Sequence, residues 1–104
     1  MPSVTKIGSV AFPVDLIDQL HDDDGRTLYG RIEFMPKDQI KLWGGQSLVR
    51  LKESFLHEVI HAVDERLHLG LRERQVGMMS VGLFEWMRDN SKTAMWMIDE
   101  GGES

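Results

Sequence analysis

The 104-residue chain reads as an α+β fold, with antiparallel N-terminal hairpins packed against two helices supplied by the remainder. Three observations predict it. Short runs before residue 45 alternate apolar and polar residues, as half-buried strands do. From Ser47 onward the apolar period lengthens to that of a helix. The breaks between runs carry Gly, Asp and Pro, which are turn residues. A chain of this length supplies one modest core, so residues 1–104 are expected to form a single domain.

The first hairpin is predicted from Val4 to Ile7 and Val10 to Val14, which flank the two-residue turn signal Gly8-Ser9. "HDDDGR" at 21–26 is turn chemistry, with Gly25 free to take a positive φ. Its acidic triplet lacks the distal Glu and the spacing of a calcium loop. "YGRIEFM" and "IKLW" alternate on either side of "PKDQ" and make the second hairpin.

On a helical wheel, Leu48, Leu51, Phe55, Leu56, Val59, Ile60, Ala62, Val63 and Leu67 fill one broad half of the first helix. Its polar stripe carries His57, His61 and Asp64, joined by Arg50. Gly70 is a suitable stop. The second helix is expected over Glu73 to Asp89, with Val76, Met79, Leu83, Phe84, Trp86 and Met87 facing the core. The tail, "NSKTAMWMIDEGGES", reads as a short helix capped by Asn90 or Ser91 that then frays, with a strand as the alternative.

Composition removes several functions. There is no cysteine, so disulfides, a thiolate nucleophile and any Cys-based metal site are excluded. The net charge of −5 argues against nucleic acid, whose non-specific affinity comes mainly from Lys and Arg meeting phosphates. No apolar run approaches the length that spans a bilayer, so no membrane partner is expected. "MPSVTKIGSVAF" lacks the basic start and long apolar stretch of a secretory signal, which makes the cytoplasm the expected location.

The first helix contains His57-Glu58-Val59-Ile60-His61, an H-E-x-x-H pattern. Residues four apart are neighbours on a helix, so both imidazoles can reach one ion at about 2.0–2.1 Å. Glu58, displaced by one position, borders the ion and can take a proton from water there. The alternative is a solvated helix face with two incidental histidines. Against it, the histidines share the only polar stripe of a helix whose other half is apolar.

A catalytic zinc normally has three protein ligands. A metzincin pattern would need Gly at 64 and His at 67, and this chain has Asp64 and Leu67. Asp64 sits too far down the same rigid helix to join His57, and is expected instead to orient His61. On the second helix Glu73 points inward and Glu85 outward. An inward carboxylate needs a cationic partner, which zinc would supply; the alternative is that Glu73 simply complements the helix N-terminus.

The order of two hairpins, then "LHEVIHAVDERLHLGL", then "ERQVGMMSVGLFEWMRDN" resembles the small HExxH zinc peptidases of phages and prophages. These are similar to the ImmA/IrrE metallopeptidase group and to minimal gluzincins. The resemblance spans roughly residues 4 to 98, with H-E-x-x-H its specific part. In that group a glutamate opening an E-x-x-(small) pattern on the next helix is the third ligand, and Glu73-Arg74-Gln75-Val76 matches it.

The resemblance implies a minimal zincin-like fold and a zinc-dependent hydrolase acting on a peptide or protein substrate. His57, His61 and Glu73 would be the metal ligands and Glu58 the catalytic base. It also implies that the strand "IKLW" (40–43) walls the cleft and pairs with extended substrate, and that a phage regulatory protein is the substrate. For the transition-state oxyanion the chain offers His68, Tyr29 and Arg72. The competing function is a non-catalytic module that keeps a metal for stability. It would present Met78, Met79, Met95, Met97 and Trp96 to a partner.

Overall fold

Gly8 takes φ 64° in the Gly8-Ser9 turn, and so lets strand β1 (Val4–Ile7) fold back on β2 (Val10–Ile17), with Ile7 opposite Val10. A Cβ on Gly8 would also lie 2.2 Å from Nε of Arg66, so this turn is where the end of the first helix crosses it. The second hairpin pairs β3 (Gly30–Glu33) with β4 (Gln39–Trp43). The computed structural model describes residues 1–99. Over that range the protein is an α+β structure with one four-stranded sheet, in the order β1-β2-β4-β3, and three helices.

Both hairpins are antiparallel, but the seam between them is not. β2 runs past its expected end at Val14, and its second half, Val14 to Ile17, pairs in parallel with Ile40 to Trp43. The sheet is therefore mixed. β4 has a partner on both sides and cannot add a substrate strand, contrary to the expectation for "IKLW". The edge strand on that side is β3.

The connection from β2 to β3 contains the acidic triplet, whose first member has a local structural role. Oδ1 of Asp22 accepts the backbone N–H of Asp24 and of Arg26, each at 2.9 Å. Gly25 supplies φ 80°. The carboxylate closes its own turn.

Alternation decides what the sheet buries. Ile7, Phe12, Val14, Ile40 and Leu42 point to one face, where Ala62 and the half-buried Leu51, Phe55, Val59 and Val63 of α1 (Leu48–Leu67) cover them. The other face is polar, with Lys41 and Arg31 both paired to Glu33. Ser47 caps α1 by accepting the N–H of Arg50 at 3.2 Å. Leu48 and Leu67, expected in the core, are exposed at the two ends of the helix. Twenty helical residues span about 30 Å, whereas the five residues of β4 span about 17 Å, so α1 overruns its sheet.

Helix α2 (Glu73–Asp89) packs on α1 and touches no strand among the described residues. Only one layer is available to cover it. Val76 and Ser80 are buried, and Phe84 and Met87 are half-buried. Met79, Leu83 and Trp86, expected in the core, are about 40% exposed. Ser80 satisfies its hydroxyl by donating to the carbonyl of Gly77 at 2.8 Å. The tail forms the helix α3 (Ser91–Ile98) rather than a strand. The fraying expected beyond it falls on 100–104, outside the described residues.

Leu42 is fully buried at the centre of the sheet. Leu42→Ala is expected to lower unfolding free energy by about 2–5 kcal/mol in urea denaturation. The same change at Leu67 should cost less than about 1 kcal/mol.

Candidate metal centre

One helical turn separates His57 and His61 on α1, and both rings present Nε2 towards the start of α2. Their Nε2 atoms lie 3.2 Å apart. Glu73, the first residue of α2, reaches across. Its Oε1 is 2.6 Å from Nε2 of His57 and its Oε2 is 2.8 Å from Nε2 of His61. One ligand atom from each of the three residues falls within 4.8 Å of the others, and they are the only such group among the described residues. Glu73 meets both imidazoles although its side chain is 71% exposed, not facing inward as the wheel suggested, and it also places a carboxylate in the first turn of its helix.

The donor chemistry fits a metal ion. Two ligands of one tetrahedral ion at about 2.0–2.1 Å are about 3.3–3.4 Å apart, close to the separation of the two Nε2 atoms. Glu73 hydrogen-bonds His57 and lies close to His61, while the two Nε2 atoms also face each other at 3.2 Å, so ligand atoms of all three groups crowd one point. A cation there relieves the crowding, because all three groups then turn lone pairs inward. Two imidazoles with one carboxylate form a borderline donor set that suits zinc.

The connection between α1 and α2 sets where Glu73 arrives. α1 ends at Leu67, with His68 as its cap at φ 54°, three residues before the expected stop at Gly70 would act. The Asp64 carbonyl accepts the N–H of Leu69 at 3.2 Å, and Asp64 Oδ1 accepts that of Leu71 at 3.1 Å. Gln75 then accepts the N–H of Arg72 at 2.8 Å and so caps α2. Asp64 does not orient His61, as the wheel suggested. It pins the chain that carries the third group.

Beside the triad lies a cleft of about 330 Å³, walled by Tyr29 and Gly30 at the start of β3 and by His57, Glu58, Glu73 and Gly77 on the helices. Glu58 is 5% exposed. Burial, and secondarily the negative charge of Glu73, raise its pKa from 4.5 to about 8. Gly30 makes that burial possible, since a Cβ there would stand 2.9 Å from Oε2 of Glu58. The reading of the sequence did not single out Gly30. A glycine inside a strand pattern, "YGRIE", was the available signal for a close approach.

Gln46 was also overlooked. Its amide donates to the carbonyls of Tyr29 and Trp43 at 2.8 Å, and its Oε1 accepts from the Ser54 hydroxyl at 2.8 Å. One side chain thereby ties both strands of the second hairpin to α1. Arg50, on the polar stripe as expected, lies over the ring of Tyr29 at 4.6 Å. Of the three oxyanion candidates, Tyr29 lines the cleft, whereas His68 caps α1 and Arg72 caps α2, both outside it. The chain matches no protein-family model, and neither a curated protein nor a solved structure is significantly similar to it.

His57→Ala and Glu73→Gln are each expected to weaken zinc binding by more than about 100-fold in competition titrations. Glu85→Gln should have no effect. Asp64→Ala should cost about tenfold by loosening the connection. In metal-free protein, Glu58 binds its proton more tightly folded than unfolded. Its stability contribution is therefore full at about pH 4.5 and is lost as pH rises through about 8. Denaturation at a series of pH values should show wild type losing a few kcal/mol, on the order of the linked shift. Glu58→Gln should remove most of that slope.

Proposed function

We propose that this chain is a zinc-dependent peptidase with a minimal zincin-like arrangement. The observation that carries the reading is the convergence of His57, His61 and Glu73 at the edge of a cleft. The buried carboxylate of Glu58, adjacent in sequence to the first of these groups, forms part of the cleft wall. The resemblance of "HEVIH" followed by "ERQV" to the phage and prophage HExxH peptidases supports it.

His57, His61 and Glu73 would hold the ion. When bound, zinc supplies a Lewis acid that polarises the scissile carbonyl and lowers the pKa of water. With a cation held beside it favouring its ionised form, Glu58 would accept a proton from the attacking water as the new carbon–oxygen bond forms. It would deliver that proton to the departing amine as the carbon–nitrogen bond breaks. Tyr29, which lines the cleft, would be the hydroxyl to face the carbonyl oxygen.

The free edge of β3 suits an extended peptide. β3 exchanges hydrogen bonds with β4 at Arg31 and Glu33, as the Trp43 N–H to Tyr29 carbonyl bond of 2.9 Å implies by alternation. Gly30 and Ile32 then direct their N–H and C=O groups outward, beside the cleft. A cytoplasmic phage regulatory protein is the substrate that the resemblance suggests.

A second reading, a non-catalytic module stabilised by its metal, is favoured by the small area that α2 buries on α1. Screening the zinc-loaded protein against a peptide library separates the two. Cleavage is expected, and Glu58→Gln should reduce its rate by about 10²–10⁴-fold while zinc stoichiometry stays at wild type. Loss of zinc together with activity, or an unchanged rate, would remove Glu58 as the base. A zinc-loaded protein that cleaves nothing in the library would leave the module as the function.

A further inference from the structure

The cleft beside the triad is electrically lopsided. Glu58 and Glu73 stand at the end where the two imidazoles meet, and Arg50 is the only Lys or Arg among the residues that line it. Arg50 and His57 are seven residues apart on α1, which brings them to the same stripe. About 10 Å of helix rise separates them. The cleft therefore carries one strong cation at a set distance from the three converging groups.

Nothing in α1 accounts for a base at position 50. It falls in the first helical turn, where the dipole favours acids over bases, and that turn contains no acid. Arg31 and Arg88 each meet a carboxylate, whereas Arg50 forms no ion pair among the described residues. Glu53, which also borders the cleft, exerts its charge on Arg88 of α2. Arg50 is nevertheless held in place. Its guanidinium carbon lies 4.6 Å from the centre of the Tyr29 ring, and that ring leans on Trp43 with centroids 6.0 Å apart. Gln46 anchors both residues by donating to their carbonyls, and Nε1 of Trp43 donates to the Asp18 carbonyl at 3.1 Å. A guanidinium resting on an aromatic ring keeps its N–H edges available, and its planar fork matches a carboxylate. Fixing it beforehand lowers the cost of binding.

We infer that Arg50 is a specificity-determining residue that binds a carboxylate of the peptide, carried by an acidic side chain or by a free C-terminus. The peptide itself comes from the peptidase reading, on which this inference rests. An extended chain advances about 3.3 Å per residue. The carboxylate therefore lies about three residues from the bond held beside His57.

Fluorescence anisotropy tests this with the zinc-loaded whole chain carrying Glu58→Gln, which holds peptides without turnover. The probes are fluorescein-labelled, alanine-rich peptides of about ten residues. One has both ends blocked and a central Gln, a second has a central Glu in its place, and a third is the Gln peptide with a free C-terminal carboxylate. At low salt one or both acidic peptides should bind about three- to tenfold tighter than the neutral one, and which of them does so names the source of the carboxylate. Arg50→Gln should erase that preference while zinc stoichiometry and far-UV circular dichroism stay at wild type. Arg50→Lys should retain part of it. Lys52→Gln, at an exposed position of α1 outside the cleft, should retain all of it. No measurable difference between acidic and neutral peptides overturns the inference. So does a preference that survives Arg50→Gln, since the ion itself would then be binding the acid. A preference that follows Arg50, in a protein whose wild type cuts none of the peptides, upholds the carboxylate site and removes the peptidase reading. Equal cleavage of acidic and neutral peptides by wild type keeps the peptidase and removes Arg50.

Discussion

A single carboxylate facing two imidazoles connects the two halves of this structure. Among the described helices and strands, α2 and α3 meet the others only where α2 packs on α1, and there Val76 and Ser80 are the buried residues on the α2 side. The interactions of Glu73 with His57 and His61 sit at one end of that contact. Asp64 and Gln75 hold the intervening turn in place. Without them the two helices would be joined mainly by a small apolar seam, so the orientation of α2 is largely an electrostatic matter. This is a common division in small domains, where apolar area is scarce and a polar or metal contact must supply specificity.

Around that contact, packing and reactivity pull against each other. Glu58 is buried where a carboxylate is costly, and the cost is tolerated because β3 opens with a glycine and so leaves it room. Gln46 fixes the strand ends that shape the same wall. A leucine in place of Glu58 would fill the space more favourably. That an acid stands there points to use at the cleft, since unfavourable local choices gather at functional sites.

Much of this was legible in the sequence for a definite reason. Local periodicity places His57 and His61 on one stripe, because four residues bring a helix just past one full turn. The turn at Gly8-Ser9 and the strand alternation are equally local. What escaped was long-range. The parallel pairing of Val14 with Ile40 joins segments 26 positions apart, and no pattern within either announces it. A wheel gives the angle of Leu48, Leu67, Met79 or Trp86 but not whether a neighbour exists at that angle. Asp64 shared the stripe with His61, yet its carboxylate found a closer backbone donor in Leu71. Gln46 lies in a segment without periodicity, and its three hydrogen bonds could only be seen in the folded chain.

The absence of any contact between α2 and the sheet also bears on how the molecule opens. Cooperative units in proteins tend to follow the divisions of their packing, and here the division runs between α1 and α2. The sheet with α1 keeps its own core when the second helix lifts away. Two of the three groups that could hold a metal ion stay with that core, while the third leaves with the helix. Capture of an ion by all three would therefore include the free energy of docking a helix, and its apparent affinity would be set by the fraction of molecules already closed. Any influence that holds α2 down, even one acting at its far end, would be felt where the three groups meet.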